Sequence, residues 1–154
     1  MNAQVVIAIL VGLAATVNDL KNREIADWIP MTALVAGFGW QIGQHGWMGA
    51  LYALGGAVAG FAAFLIFYLL GGMGGGDIKL MTGFGALLGA SRLGEAALWT
   101  AGVGGIFAIG VLAWRGGMSW MRPQQVAAAG ADADTIPYAP AIAIGVLLSL
   151  VPKT

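Results

Sequence analysis

A chain of 154 residues that is 59% hydrophobic and only 9% charged has too few charges to coat a soluble domain, so a lipid bilayer is its natural solvent. Seven basic residues cancel seven acidic ones, which leaves no basic stripe to track phosphates and excludes a nucleic-acid partner. The absence of cysteine removes disulfides, thiolate metal sites and thiol nucleophiles together.

A bilayer core of about 30 Å takes roughly 17–25 helical residues per crossing, and the charges divide the chain into apolar stretches of about that spacing. The first, Ala3–Val17, has no Lys or Arg before Lys21 and so lacks the basic start of a cleaved signal peptide; it reads as a retained span. Trp28–Ile42 and Met48–Leu70 follow. Leu80–Ala90 is short enough to be tilted or partly buried in protein. Ala96–Trp114 comes next, then a polar, Ala-rich loop, Gln124–Asp134, and a last stretch, Ile136–Val151. The expectation is one all-α domain over residues 1–154, a polytopic membrane bundle of about six transmembrane helices, with five or seven spans as alternatives.

Trp28, Trp40, Trp47, Trp114 and Trp120 lie near span ends, where an indole anchors at the headgroups. Glycine occurs 26 times, and Gly39/Gly43, Gly56/Gly60 and Gly85/Gly89 have the four-residue spacing that lets membrane helices approach closely. Lys21, Arg23, Lys79, Arg115 and Arg122 gather in the odd-numbered loops, against Arg92 and Lys153 on the other side. The excess of basic residues predicts those loops to be cytoplasmic, with both termini outside and with Asp19 and Asp77 at one cytoplasmic face of the inner membrane.

An ionisable group close to hydrocarbon requires a reason. Asp132 and Asp134 fall in the polar loop, and Glu95 lies near Arg92. The lone histidine, His45, falls in an outer loop, so no triad or zinc motif has its material, and neither a metal nor a cofactor is expected. Asp19, Glu24, Asp27 and Asp77 remain. Asp19 closes the first span. Asp77 follows Gly71-Gly72-Met73-Gly74-Gly75-Gly76, a run read as non-helical, which is either a flexible loop tip or backbone lining a wet cleft. Two carboxylates at one membrane face can share a proton; the ionised member then activates water while the other donates to a scissile carbonyl.

Gly74-Gly75-Gly76-Asp77-Ile78-Lys79-Leu80 resembles the G-x-G-D-x-K-L signature of type IV prepilin peptidases, the GxGD class of membrane aspartic proteases. Asp19 to Trp28 resembles the family's first aspartate box, with Asp19 and Arg23 in register and with Ala26 and Asp27 where Pro and Asn are usual. Ile136 to Gly145 is similar to the family's last span. The resemblance implies Asp19 and Asp77 as catalytic residues, with Gly74, Gly76, Lys79, Arg23, Glu24 and Asp27 shaping the site. Its implied substrate is a prepilin or pseudopilin, a basic leader before an apolar helix, cut after glycine on the cytoplasmic side. Length and the lack of cysteine resemble the short form found in tight-adherence (Flp) pilus systems and give no support to N-methylation. Glu24 and Asp27 read either as solvated interfacial charges or as attractors of a basic leader, and Lys79 either snorkels or biases the charge of the pair.

Two rivals stand beside this reading. One is a non-catalytic small transporter or pilus-assembly subunit that uses the aspartates as ion or proton sites; it favours paired broken helices, and no second glycine run matches residues 71–76. The other is a GxGD protease with general membrane substrates.

Overall fold

Apolar runs long enough to bury a helix in lipid satisfy their backbone hydrogen bonds internally; the computed structural model describes residues 2–69, 73–121 and 138–151, and among these it has six helices. They are α1 (Ala3–Asn22), α2 (Trp28–His45), α3 (Trp47–Leu69), α4 (Gly75–Leu88), α5 (Ala90–Met121) and α6 (Ala139–Ser149), with no strand among the described residues. Each matches one predicted stretch, with altered ends. Helix α1 continues through Asp19 to Asn22, and α4 begins five residues before Leu80. Gly71, Gly72, residues 122–137, which include the predicted polar loop, and Lys153 lie outside the described residues.

Large apolar side chains cover the outside. Leu10, Leu13 and Leu20 on α1, Leu51, Leu54 and Val58 on α3, and Leu98, Ile106 and Ile109 on α5 are all exposed. Such a surface is a liability in water and a match for hydrocarbon. Helices α1 and α3 are each long and apolar enough to cross a bilayer. The chain is an α-helical membrane bundle.

Helix α4 is its centre: ten of its 14 residues are buried, against five of 20 in α1. Leu80, Met81, Phe84 and Leu87 are fully buried together with Ile29 of α2 and Ile142 of α6. Glycine sets the spacing on both flanks. A Cβ on Gly56 of α3 would fall on the Gly85 carbonyl, and one on Gly85 on the Gly56 carbonyl; on the other flank, a Cβ on Gly37 of α2 would lie 2.5 Å from the Leu87 nitrogen. Backbone therefore rests on backbone. Gly39 and Gly43, also predicted to mediate a close approach, have nothing within 4 Å of an added Cβ. Their spacing is a coincidence of a glycine-rich chain, and they face away from the neighbouring helices.

At 14 residues α4 rises only about 21 Å and ends inside the bilayer thickness. Its last carbonyls need partners there. Gly89, at φ +72°, turns the chain and donates its N–H to Gly85 O at 2.9 Å. The side-chain amides of Gln4 and Gln41 both donate to Leu87 O, at 2.9 and 3.1 Å. Helix α6 lies between α1 and α5: Gly12 of α1 meets Ala143, and Gly145 meets the Thr100 backbone of α5.

Candidate active site

The end of the bundle opposite Gln4 and Gln41 holds a polar cavity of about 580 Å3. Asp19, Asp77, Gly74, Gly76, Lys79, Arg23, Glu24 and Asp27 all line it. Its walls come from the last turn of α1, the α1–α2 connection and the first turn of α4, brought together by a few local devices.

Helix α1 stops at Asn22 because Arg23 adopts the left-handed conformation, φ 54°, and donates its N–H to Asp19 O at 2.8 Å. This turn resembles a glycine-type helix stop carried out by a residue with a side chain. The connection is then folded back by Asn18, whose Oδ1 accepts the Ala26 N–H at 3.2 Å. Ile25 comes to rest on α4, its Cβ 3.1 Å from where a Cβ on Gly76 would be. A side chain at position 76 would push the two walls apart.

The glycine run is not wholly irregular, contrary to the expectation from its composition: Gly75 and Gly76 form the first turn of α4. N-terminal N–H groups of a helix have no intrahelical partner to lose, and packing of α4 on both flanks outweighs the poor propensity of glycine. Asp77 completes that turn. Its Oδ2 accepts the Gly74 N–H at 3.2 Å while its own N–H donates to Gly74 O at 3.2 Å. Gly74 thus both approaches the carboxylate closely and supplies a donor to it.

Asp19 is held from much farther away. Its Oδ2 accepts the Ala139 N–H at 3.1 Å, a buried bond to the first residue of α6, 120 positions along the chain. Pro140 stands at the second position of that helix, where a missing N–H costs nothing. Asp19 and Asp77 are each 7% exposed, and both line the cavity. Each carboxylate has one oxygen fixed by a backbone N–H at a helix start, an arrangement that favours negative charge.

Lys79 does not turn toward the carboxylates. Residues two apart on a helix point to different faces, so with Asp77 toward Asp19, Lys79 turns to α2 and pairs with Asp27 at 2.6 Å. Both partners are exposed, and both line the cavity. His45, at the opposite end of α2, stacks edge-on against Tyr52 with ring centres 5.3 Å apart. Among the described residues no group of three or more His, Cys, Asp or Glu gathers as a metal would require. Sequence reasoning passed over Asn18 and Ala139. Pro140 was the available signal for the second, since it marks a helix start whose N–H groups are free for a partner.

Fold and site together define a polytopic helical membrane protein with a carboxylate-lined cavity at one end of its bundle. Residues 6–109 match the model of the type IV leader peptidase family. The match spans well over half of the chain, so the protein belongs to that family and is a peptidase. It covers α1 to α4 and most of α5, including both aspartates, and ends before α6. No curated protein and no solved structure matches the chain.

Proposed function

We propose that the protein is an aspartic endopeptidase that removes the basic leader of a prepilin or pseudopilin at the cytoplasmic face of the inner membrane. The observation that carries this reading is the cavity itself, where Asp19 and Asp77, distant in sequence and both nearly buried, line one wall-to-wall space with a backbone N–H on one oxygen of each. Among the described residues no hydrogen bond engages the other oxygen of either carboxylate, which leaves it for a water or a peptide carbonyl.

In the reaction the ionised carboxylate takes a proton from water as the water oxygen attacks the scissile carbonyl carbon. The protonated carboxyl gives its proton to the carbonyl oxygen, so the tetrahedral intermediate is a neutral diol. Collapse breaks the C–N bond: one hydroxyl proton returns to a carboxylate and the leaving nitrogen takes a proton from the other. The pair shares one proton before and after, and titrates as a unit. Gly74 and Ala139 orient the two groups through their N–H, and the narrow wall at Gly76 leaves room for an extended chain.

The orientation draws support from charge. The cavity end carries Lys21, Arg23 and Lys79, and the other end Arg92, which favours the cavity in the cytoplasm and both termini outside. Glu24 and Asp27 on the cavity wall attract the basic leader, while Arg23 and Lys79 shape the site around them. The test is cleavage of a purified prepilin by the purified protein in detergent, with Asp19→Asn and Asp77→Asn beside it. Both variants should retain fold and lose activity; cleavage by either at the unsubstituted rate ends the proposal.

A further inference from the structure

We infer that an apolar groove between α3 and α5 is the docking track for the membrane helix of the same chain that is cut at the Asp19/Asp77 cavity. The inference rests on the proposed function and adds to it the surface that selects helix-bearing substrates.

The groove has a volume of about 480 Å3 and is lined almost wholly by carbon. Phe64 and Phe67 of α3 form one wall. On the other, Gly94, Ala97, Ala101 and Gly105 of α5 lie at successive turns, so the groove follows α5 for about 16 Å, roughly half of the hydrocarbon thickness.

Its position identifies the occupant. Two further lining residues are Met73 and Tyr138. Met73 immediately precedes Gly74, whose N–H holds Asp77, and Tyr138 immediately precedes Ala139, whose N–H holds Asp19. The groove therefore starts beside both carboxylate donors and leads away from them along α5. A peptide bond seated at the carboxylates has its continuing chain delivered to this groove, and a chain entering hydrocarbon must be helical to satisfy its backbone. The small residues on α5 allow a helix backbone to come close.

The glycines of α5 provide a matched test. A Cβ at Gly94, Gly105 or Gly102 meets nothing within 4 Å, so a larger side chain is accommodated at each; Gly94 and Gly105 line the groove and Gly102 does not. Purified Gly94→Leu, Gly105→Leu and Gly102→Leu proteins are assayed on two substrates: one with leader and complete apolar helix, and a short peptide that ends a few residues after the cut. Filling the groove should raise KM and lower kcat/KM for the helix-bearing substrate by about tenfold, the usual scale of an overpacked interface. Cleavage of the short peptide should be unchanged, and Gly102→Leu should leave both substrates unaffected. As an independent readout, a photo-reactive benzoylphenylalanine replacing Leu98, an exposed groove residue, should cross-link the apolar helix of a substrate held uncleaved by Asp77→Asn.

Equal losses on both substrates, or no loss on either, overturn the inference, as does a wild-type protein that handles the two alike. A lipid chain or another part of this protein in the groove predicts no dependence on the substrate helix. A wild-type protein that cuts neither substrate defeats the proposed function itself, a different outcome from an active enzyme indifferent to the groove.

Discussion

Replacing Gly85 with alanine tests how closely α4 is clamped. In an open helical site the change stabilises by about 0.5–1 kcal/mol, because alanine loses less backbone entropy. At Gly85 the new methyl falls on the Gly56 carbonyl oxygen, with the carbonyl carbon 2.8 Å away and the Ala57 nitrogen at 3.3 Å. Every one of these is backbone, so no rotamer change relieves the clash and α3 and α4 must separate. Overpacking costs about 1–3 kcal/mol, and a rigid neighbour argues for the upper end; less the propensity gain, about 2 kcal/mol of stability is lost. Because α4 carries Asp77, the displacement also reaches the cavity, and on the proposed reading, in which Asp77 is catalytic, a shift of about 1 Å costs on the order of a hundredfold in rate. Gly39→Ala is the control: the same exchange on α2, with nothing within 4 Å, should raise stability by about 0.5–1 kcal/mol. Thermal unfolding in one detergent and leader cleavage measure both consequences. If Gly85→Ala matches Gly39→Ala in stability and in rate, the backbone contact described for α3 and α4 is wrong.

Arg23→Gly should exceed Arg23→Ala in stability by about 1 kcal/mol, since only glycine occupies the left-handed region without cost; equal melting temperatures refute a strained stop for α1. Neutralising Asp27 or Lys79 should alter stability by less than about 1 kcal/mol, because both partners are exposed, and their coupling in a double-mutant cycle should fade with added salt. Gln4→Leu and Gln41→Leu should each be tolerated while the other amide still caps Leu87. The double variant leaves that carbonyl bare in the bilayer and should lose about 1–3 kcal/mol beyond the sum of the single changes; additivity there would show that the two amides do not serve one acceptor.

Much of this architecture is written in local patterns. Charge spacing marks the helices, and the glycine run before Asp77 marks the one carboxylate whose donor, Gly74, is a sequence neighbour. What sequence could not disclose depends on rotation and on distance along the chain. The spacing that makes Gly85 a contact residue makes Gly39 look like one, and only the azimuth of each helix separates them. Lys79 turns outward to Asp27 for the same reason, as the rotation of α4 that aims Asp77 inward dictates it. Ala139 advertises no chemistry of its own; Pro140 marks the helix start beside it, but that its backbone N–H meets Asp19 depends on the packing of α6 against α1.

That N–H has a bearing on biogenesis. Asp77 receives its donor from its own helix turn, available as soon as α4 has formed, whereas Asp19 waits for a residue made 120 positions later. On the proposed reading, a ribosome-bound chain already threaded as far as α5 is a protease with one half of its machinery unaligned, unable to attack neighbouring nascent proteins until α6 inserts.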